Sequence, residues 1–429
     1  MRQANQTLAE QLAERFAGRI RDRLLAPGAR LPSVRQCAVQ QGLSPSTVVA
    51  AYDLLLAQGL VIAERNRGFF VRQRVGLSPG VGLGAGAKAG VPLVLDLSRS
   101  QTGPPVDAAA LIRGMFQPPG ERPQPGMGAF PPAWMESSFL QAAVRRVTAG
   151  QSLNDVSLRY GEPMGDSHLR RVLAGRLQGL GLPAVPGQII TTVGATQALD
   201  IVSRTLLKPG DCVMVEEPGW AVEFARLNAQ GMRILPVPRG PLGPDLAVMA
   251  RYCEVHAPKL FVSVSVLHNP TGYCLSPASA HRVLQLAQAH HFYVVEDDTY
   301  GHIAPEHATR MSVLDGLQRT IYVSGFAKIL VPNWRVGYLA APADCVERLL
   351  DTKLLTTLTT PSLLERAVAL CIEQGQLRRH TDRIRLRLDA ARSRSVKLAQ
   401  SAGCRFVAEP AGLFGWVDTG VDTEALSQR

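Results

Sequence analysis

Five apolar runs rich in β-branched residues constrain this chain more than any other feature. They are Gln188-Ile-Ile-Thr-Thr-Val193, Cys212-Val-Met-Val215, Leu260-Phe-Val-Ser-Val264, Phe292-Tyr-Val-Val-Glu296 and Thr320-Ile-Tyr-Val323. Helical stretches separate them. Short continuous apolar runs are the pattern of strands buried on both faces, and strands alternating with helices build a mainly parallel sheet. The spacing predicts an α/β domain over residues 93–429, with helices on both faces of the sheet. After Ala341 the pattern turns predominantly helical, and one long polar-faced helix is expected near 376–402.

At 429 residues, 46% of them hydrophobic, the chain has material for more than one core, and wholesale disorder is excluded. A separate module is expected over residues 1–75. Leu8, Leu12, Phe16, Ile20 and Leu24 recur every fourth residue, which makes one face of an amphipathic helix. Pro27-Gly28 ends it. Ser33 is placed to cap a short second helix that stops near Gly42. Ser44 caps a third helix, with Pro45 at its first position, where the missing N–H costs nothing. Leu60-Val-Ile-Ala and Phe69-Phe-Val-Arg72 read as two strands around a basic, glycine-containing turn. Residues 76–92 hold six Gly among seventeen, the composition of a flexible linker.

The net charge of +11 is unevenly spread: residues 1–75 hold eleven Arg and no Lys against five acids. Such asymmetry points to a polyanion partner for the N-terminal module. Three helices and a two-stranded wing make a winged helix-turn-helix, whose turn-linked second helix enters the DNA major groove. Ser46 and Thr47 then reach phosphates or base edges. Arg35 holds a phosphate or a guanine edge, and Arg65 and Arg67 on the wing, beside Gly68, suit the adjacent groove. Gly28-x-Arg30-Leu-Pro-Ser-x-Arg35, Leu43-Ser-x-Ser-Thr-Val48, Ala51-Tyr52, Gly59-Leu60 and Gly68-x-Phe-Val71 resemble the N-terminal domain of GntR-family regulators. The resemblance implies binding to double-stranded DNA. Pro45 departs from it, standing where that family usually carries a DNA-touching arginine.

Seven scattered cysteines without a C-x-x-C pair read as reduced, mostly buried thiols of a cytoplasmic protein. Gln3 to Gln11 is polar, so no signal peptide is expected. With no apolar run of ~18 residues, no membrane span is expected. The nine His are dispersed, and no metal constellation is read.

Chemistry concentrates in the α/β part. Lys328 follows a β-branched run in Tyr322-Val-Ser-Gly-Phe-Ala-Lys328, and Arg335 stands seven residues on. Upstream lie Val193-Gly-Ala-Thr-Gln197, Glu216-Glu-Pro-Gly-Trp220, His268-Asn-Pro-Thr-Gly272 and Glu296-Asp-Asp-Thr-Tyr300. An Asn-Pro turn, a strand-ending aspartate, a lysine and an arginine, in this order along the chain, are what pyridoxal phosphate needs. These motifs resemble fold-type I aminotransferases. With the winged head and the linker, the whole chain from residue 6 resembles the MocR subgroup of GntR-family regulators.

The resemblance implies a PLP-dependent fold-type I domain and a role for each matching residue. Lys328 forms the internal aldimine with pyridoxal 5'-phosphate. Asp297 pairs with the pyridine nitrogen; Asp298 is the competing carboxylate, disfavoured by its spacing to Tyr300. Tyr300 and Asn269 hydrogen-bond the phenolic oxygen. Ala195 and Thr196 offer backbone N–H groups to the phosphate at a helix start, with the Thr196 hydroxyl added. Arg335 grips the phosphate, and Ser324 is a weaker candidate for it. Trp220 stacks on the ring, and Tyr160 reaches the neighbouring subunit's phosphate, which makes the protein a homodimer.

Departures are also visible. Gly325 and Ala327 remove two hydroxyls from the usual Ser-Phe-Ser-Lys. After Pro410-Ala-Gly-Leu-Phe-Gly-Trp416 the family's closing helix–strand section, with its arginine for an α-carboxylate, has no counterpart, so the small subdomain reads as incomplete. Taken together these features predict a PLP-binding transcriptional regulator with an amino acid or amine as effector. The alternatives are a working aminotransferase acting on a 2-oxo acid, and a scaffold that has lost its cofactor.

Overall fold

The computed structural model describes residues 7–21, 29–57, 60–64, 68–71, 128–135, 138–149, 154, 158–305 and 307–420. The glycine-rich stretch 76–92 and the wing-turn residues Arg65 and Arg67 lie outside the described residues. Two compact units divide the chain, one within 1–116 and one within 117–429.

The first unit holds α1 (Leu8–Arg21), α2 (Val34–Gln41), α3 (Pro45–Ala57), β1 (Val61–Glu64) and β2 (Gly68–Val71). Ser33 and Gln36 form a reciprocal capping box at the start of α2, and Gly42 ends it in the left-handed conformation. Ser44 Oγ accepts from the Thr47 N–H, 3.1 Å, at the start of α3. The strands pair antiparallel with Val61 opposite Val71. A third extended segment joins them: Leu31 N donates to Phe69 O, and Val71 N donates to Ala29 O. Tyr52 is the hub of the core. It is fully buried, meets Phe16 and Phe69 edge-on at 5.7 and 5.0 Å, and donates its hydroxyl to Pro32 O.

In the second unit the helices are α4 (Ser138–Val147), α5 (Ser167–Gly179), α6 (Ala195–Leu206), α7 (Ala221–Ala229), α8 (Leu246–His256), α9 (Pro277–His290), α10 (Met311–Asp315), α11 (Val346–Thr357), α12 (Ser362–Glu373) and α13 (Gln376–Ser401). The strands are β3 (Ile189–Thr192), β4 (Cys212–Glu217), β5 (Arg233–Gly240), β6 (Gly243–Pro244), β7 (Leu260–Ser263), β8 (Tyr293–Asp297), β9 (Thr320–Gly325), β10 (Gly337–Ala340), β11 (Arg405–Phe406) and β12 (Val417–Asp418). Eight of them form one sheet in the order β3-β10-β9-β8-β7-β4-β5-β6. The ladders from β9 through β5 are all parallel, while β10 runs antiparallel to both β3 and β9, as β6 does to β5.

Alternate side chains on the strands enter cores on opposite faces. Val213, Val262, Val295, Ile321 and Leu339 pack with Ala198, Ile201 and Val202 of α6. Met214, Phe261 and Val294 pack with Met249 of α8 and Val283 of α9. Tyr322 and Tyr338 join the core built on α5, α12 and α13. The five expected strands are all in the sheet, which is mainly parallel and covered on both faces. β5 was not foreseen because Pro236 and Pro238 interrupt its pattern. It lies next to the two-residue edge strand β6, near a margin where a missing ladder N–H is tolerated.

Candidate functional site

The C-terminal edge of the parallel strands is where α/β sheets bind ligands. Asp297 is the last residue of β8, Asn269 sits in the loop after β7, and Lys328 follows the end of β9. The antiparallel β10 brings Arg335 to the same edge, because its first residue, Gly337, pairs with Gly325 on one side and Thr192 on the other. The start of α6 is thereby set beside Arg335.

This last junction is tight. Gly194 has φ +88°, and a Cβ there would stand 2.5 Å from Arg335 Nη2. A Cβ on Gly337 would come within 2.6 Å of the Gly194 backbone. Arg335 itself adopts φ +53°, and its Nη2 donates to Val193 O at 3.2 Å. No side chain caps α6 at Gly194. Ala195 is half-buried and Thr196 exposed, so the positive end of this helix lies open beside an exposed guanidinium. Two glycines and an arginine thus form a cradle that an added methyl would fill, suited to a phosphate.

Asp297 is half-buried and lines a cavity with Trp220, Glu223, His268 and Asn269. Its Oδ1 accepts from Thr299 N at 3.0 Å and Thr299 Oγ1 at 2.5 Å. Burial pushes its carboxyl up to about 6. The Thr299 hydrogen bonds pull it down, and the carboxylates of Glu223 and Asp298 push it further up. Asp298 points elsewhere. It is buried, and Oδ2 receives Arg310 Nε at 2.8 Å and the Tyr322 hydroxyl at 2.6 Å.

The Lys328 ammonium donates to Gly128 O at 3.0 Å and lies 5.8 Å from the Tyr300 ring centroid. Burial lowers its pKa; the nearby Asp297 charge opposes that shift, and Arg335 adds to it. Asn269 Nδ2 donates to the Tyr300 hydroxyl at 3.4 Å, and Phe414 meets the Tyr300 ring edge-on. Lys328, Asp297, Asn269, Tyr300, Trp220, Ala195, Thr196 and Arg335 therefore gather at one sheet edge. Two candidates do not join them. Ser324 is buried, with Oγ donating to Asp298 O, and Tyr160 is 86% exposed.

Sequence reasoning quoted Glu216 and His268 without giving them work. Both are buried and line the cavity. Glu216 lies 3.2 Å from Arg239 Nη1 and 3.4 Å from His268 Nε2, and it accepts from Ser263 Oγ and Val264 N. Burial lowers the His268 pKa to about 4, which keeps its ring neutral. Glu223 was missed outright. It stands three residues after Trp220, at α-helical spacing, and is clasped by Arg226 at 2.5 and 3.1 Å.

In the first unit, Arg35 and Ser46 are exposed and Thr47 half-buried. The Ser44 hydroxyl touches those of Ser46 and Thr47, at 2.8 and 2.7 Å, so the start of α3 presents a linked hydroxyl cluster. Gly68 has φ +107°, and a Cβ there would stand 3.3 Å from Arg30 Nε, which places Arg30 against the wing.

Fold and site together define a two-part protein, a winged helix-turn-helix joined to an aminotransferase-type unit. The chain belongs to the aminotransferase class I and II family, which it matches over residues 135–429. Residues 8–71 match the bacterial regulatory proteins of the gntR family. The chain is 25% identical to the uncharacterized HTH-type transcriptional regulator YisV of Bacillus subtilis (strain 168), over 92% of this chain and 80% of that protein. It is 29% identical to the probable rhizopine catabolism regulatory protein MocR of Rhizobium meliloti, over 92% and 77%. Among solved structures it is similar to LysN, the α-aminoadipate aminotransferase of Thermus thermophilus, complexed with N-(5'-phosphopyridoxyl)-L-leucine. That likeness has a TM-score of 0.63 and 25% identity, and covers 70% of this chain and 78% of that one.

Proposed function

We propose that this protein is a PLP-binding transcriptional regulator of the MocR type. Its winged head binds double-stranded DNA, and its aminotransferase-type unit senses an amino acid or amine. One observation carries the reading: Lys328, Asp297, the Asn269–Tyr300 pair and the Arg335–Gly194 cradle share one sheet edge, in a chain that keeps a well-formed winged helix.

The residues fit pyridoxal phosphate in chemistry and in space. Bound there, the cofactor supplies an aldehyde that takes up amines and a pyridinium ring that withdraws electrons. Lys328 would hold it covalently; burial favours the neutral amine, the form that attacks a carbonyl. Asp297 would face the ring nitrogen. Desolvation raises its carboxyl, and a cation opposite it would restore the ionised form. Trp220 would stack on the ring, and Asn269 and Tyr300 would orient its oxygen. Arg335 and the N–H groups of Ala195 and Thr196 would hold the phosphate, with Gly194 leaving room for it. The exposed Tyr160 suits a homodimer in which it reaches the neighbouring subunit's site. An effector amine would act by displacing Lys328 and favouring one of two arrangements of the chain, which requires different affinities for the two.

A working aminotransferase that passes an amino group to a 2-oxo acid is the second reading, favoured by the full set of ring-side residues. Purified protein given the cofactor is expected to turn yellow, and Lys328→Ala to lose the cofactor on dialysis. Footprinting of the DNA upstream of its own gene is expected to show protection that changes with an amine effector. Colourless protein would remove both readings. Turnover near ~10 s⁻¹ on common amino acids, a typical enzyme value, without any footprint would favour the second.

A further inference from the structure

The positive charge of this chain is concentrated in two places. Residues 1–75 carry +6, and α13 (Gln376–Ser401) carries eight basic residues against two acids, another +6. All remaining residues together have a net charge of −1. The excess in α13 therefore does not reflect a generally basic domain.

Helical geometry sorts these charges. At about 100° per residue, Arg379, Arg383, Arg387, Arg394 and Lys397 fall within an arc of about 80°. All five are exposed. From Arg379 to Lys397 the stripe spans eighteen residue steps, about 27 Å at 1.5 Å per step. The adjoining face, Leu377, His380, Thr381, Ile384 and Leu388, is buried in the unit's core and centred about 115° from the stripe, which therefore runs along an exposed flank of the helix. The two acids lie on the other flank and are engaged there: Asp382 Oδ1 is 3.9 Å from Arg385, and Asp389 Oδ1 is 2.7 Å from Arg392. A helix face that only needs solvation intersperses charges of both signs, often as i,i+4 pairs. Here the signs are segregated. Arg387 is further steadied by the carbonyls of Ala133 and Trp134, each at 3.4 Å. Carbonyl contacts orient a guanidinium without neutralising it.

We propose that this face of α13 is a second duplex-DNA surface, one that contacts backbone phosphates without reading bases. The inference rests on the reading of the head as DNA-binding, since that makes a duplex the polyanion the protein meets. A row of outward arginines without intervening acids matches the charge of a phosphate backbone, and each phosphate contact releases condensed counterions. An arginine can also meet a guanine edge, so an equal loss of affinity on specific and random duplexes is what marks these contacts as phosphate ones. Leu386 and Leu398, 73% and 71% exposed, border it. They are twelve residues apart and form no continuous apolar band, which disfavours a lipid surface.

The test uses the full-length protein with its cofactor and a mixed-sequence DNA duplex, titrated across salt concentrations. Arg379→Gln/Arg394→Gln/Lys397→Gln is expected to lower the slope of log K against log salt by about 2 to 3, and Arg394→Gln/Lys397→Gln by about 2. Affinity for specific and random duplexes should fall by the same factor. Circular dichroism checks folding, and the smaller variant serves if the larger one misfolds. Arg35→Gln is the head's control. Loss of slope with Arg35→Gln but none with the α13 variants overturns the stripe and leaves the head reading intact. No duplex binding by the unaltered protein overturns both. Unchanged DNA slopes with lost binding to phosphatidylglycerol vesicles would assign the face to lipid and end the proposal.

Discussion

Arg335 lies against the backbone of Gly194, so near that a Cβ at position 194 would stand 2.5 Å from its Nη2. Gly194→Ala therefore displaces the guanidinium and also strains a backbone at φ +88°. Affinity for pyridoxal phosphate is expected to fall by roughly tenfold or more, the scale of one charge-assisted bond. Affinity for pyridoxal, which has no phosphate, should change little. Comparing the two ligands by absorbance titration separates loss of the cradle from general misfolding.

Asp297 and Asp298 are neighbours with different surroundings. Asp298→Ala leaves Arg310 buried without its partner, and breaking a buried pair this way costs on the order of 3–5 kcal/mol. Asp297→Asn keeps the volume of a group that faces a cavity and should cost less than ~1 kcal/mol in the cofactor-free protein. Urea denaturation of the second unit is expected to rank the two variants in that order.

The Asp297 carboxyl is raised from 3.8 to about 6, so between these values the folded state holds a proton that the unfolded state releases. Stability from this group therefore falls as pH rises from about 4 to about 6. His268, lowered to about 4, acts in the opposite sense: its unfolded form takes up a proton below its ordinary value of 6.5, so it adds stability as pH rises. The difference between wild type and Asp297→Asn isolates the aspartate. In cofactor-free protein that difference should shift in favour of the variant across the window. Glu223→Gln should narrow the window by lowering the Asp297 value.

Tyr52 carries the core of the winged head. Tyr52→Phe removes the bond to Pro32 O at a cost of about 1 kcal/mol. Tyr52→Ala removes a fully buried ring and should cost about 3–5 kcal/mol. Thermal unfolding of the full chain should show the head's transition moving while the cofactor unit's transition stays.

Arg35 is exposed at the second position of α2. Arg35→Ala is expected to weaken operator binding and lower its salt slope by about 1 if the contact is to phosphate alone. A loss confined to one DNA sequence would identify a base contact instead.

Local chemistry was legible from the residues. The capping of α2 by Ser33, the seat of Pro45 at the start of α3 and the long helix after residue 375 depend on neighbours a few positions away, and the structure has them where the pattern put them. The order of Asn269, Asp297, Lys328 and Arg335 also reads directly, because each follows a recognisable strand or turn. β5 was hidden by two prolines, and Glu223 by a helix start that looks ordinary in isolation.

The sequence by itself determined the two modules, the winged-helix elements, five strands of the large sheet and the chain order of Asn269, Asp297, Lys328 and Arg335, since these follow from periodicity, caps and motifs along the chain. Tertiary structure decided which carboxylate looks into the cavity, that Ser324 turns to Asp298, and that Arg335 rests on Gly194. It also decided that the cation stripe, which helical spacing alone aligns along α13, faces outward. Those outcomes depend on strand order, the antiparallel insertion of β10 and the packing of one helix face. Contacts of that kind join residues that are remote in the chain, and no local pattern encodes them.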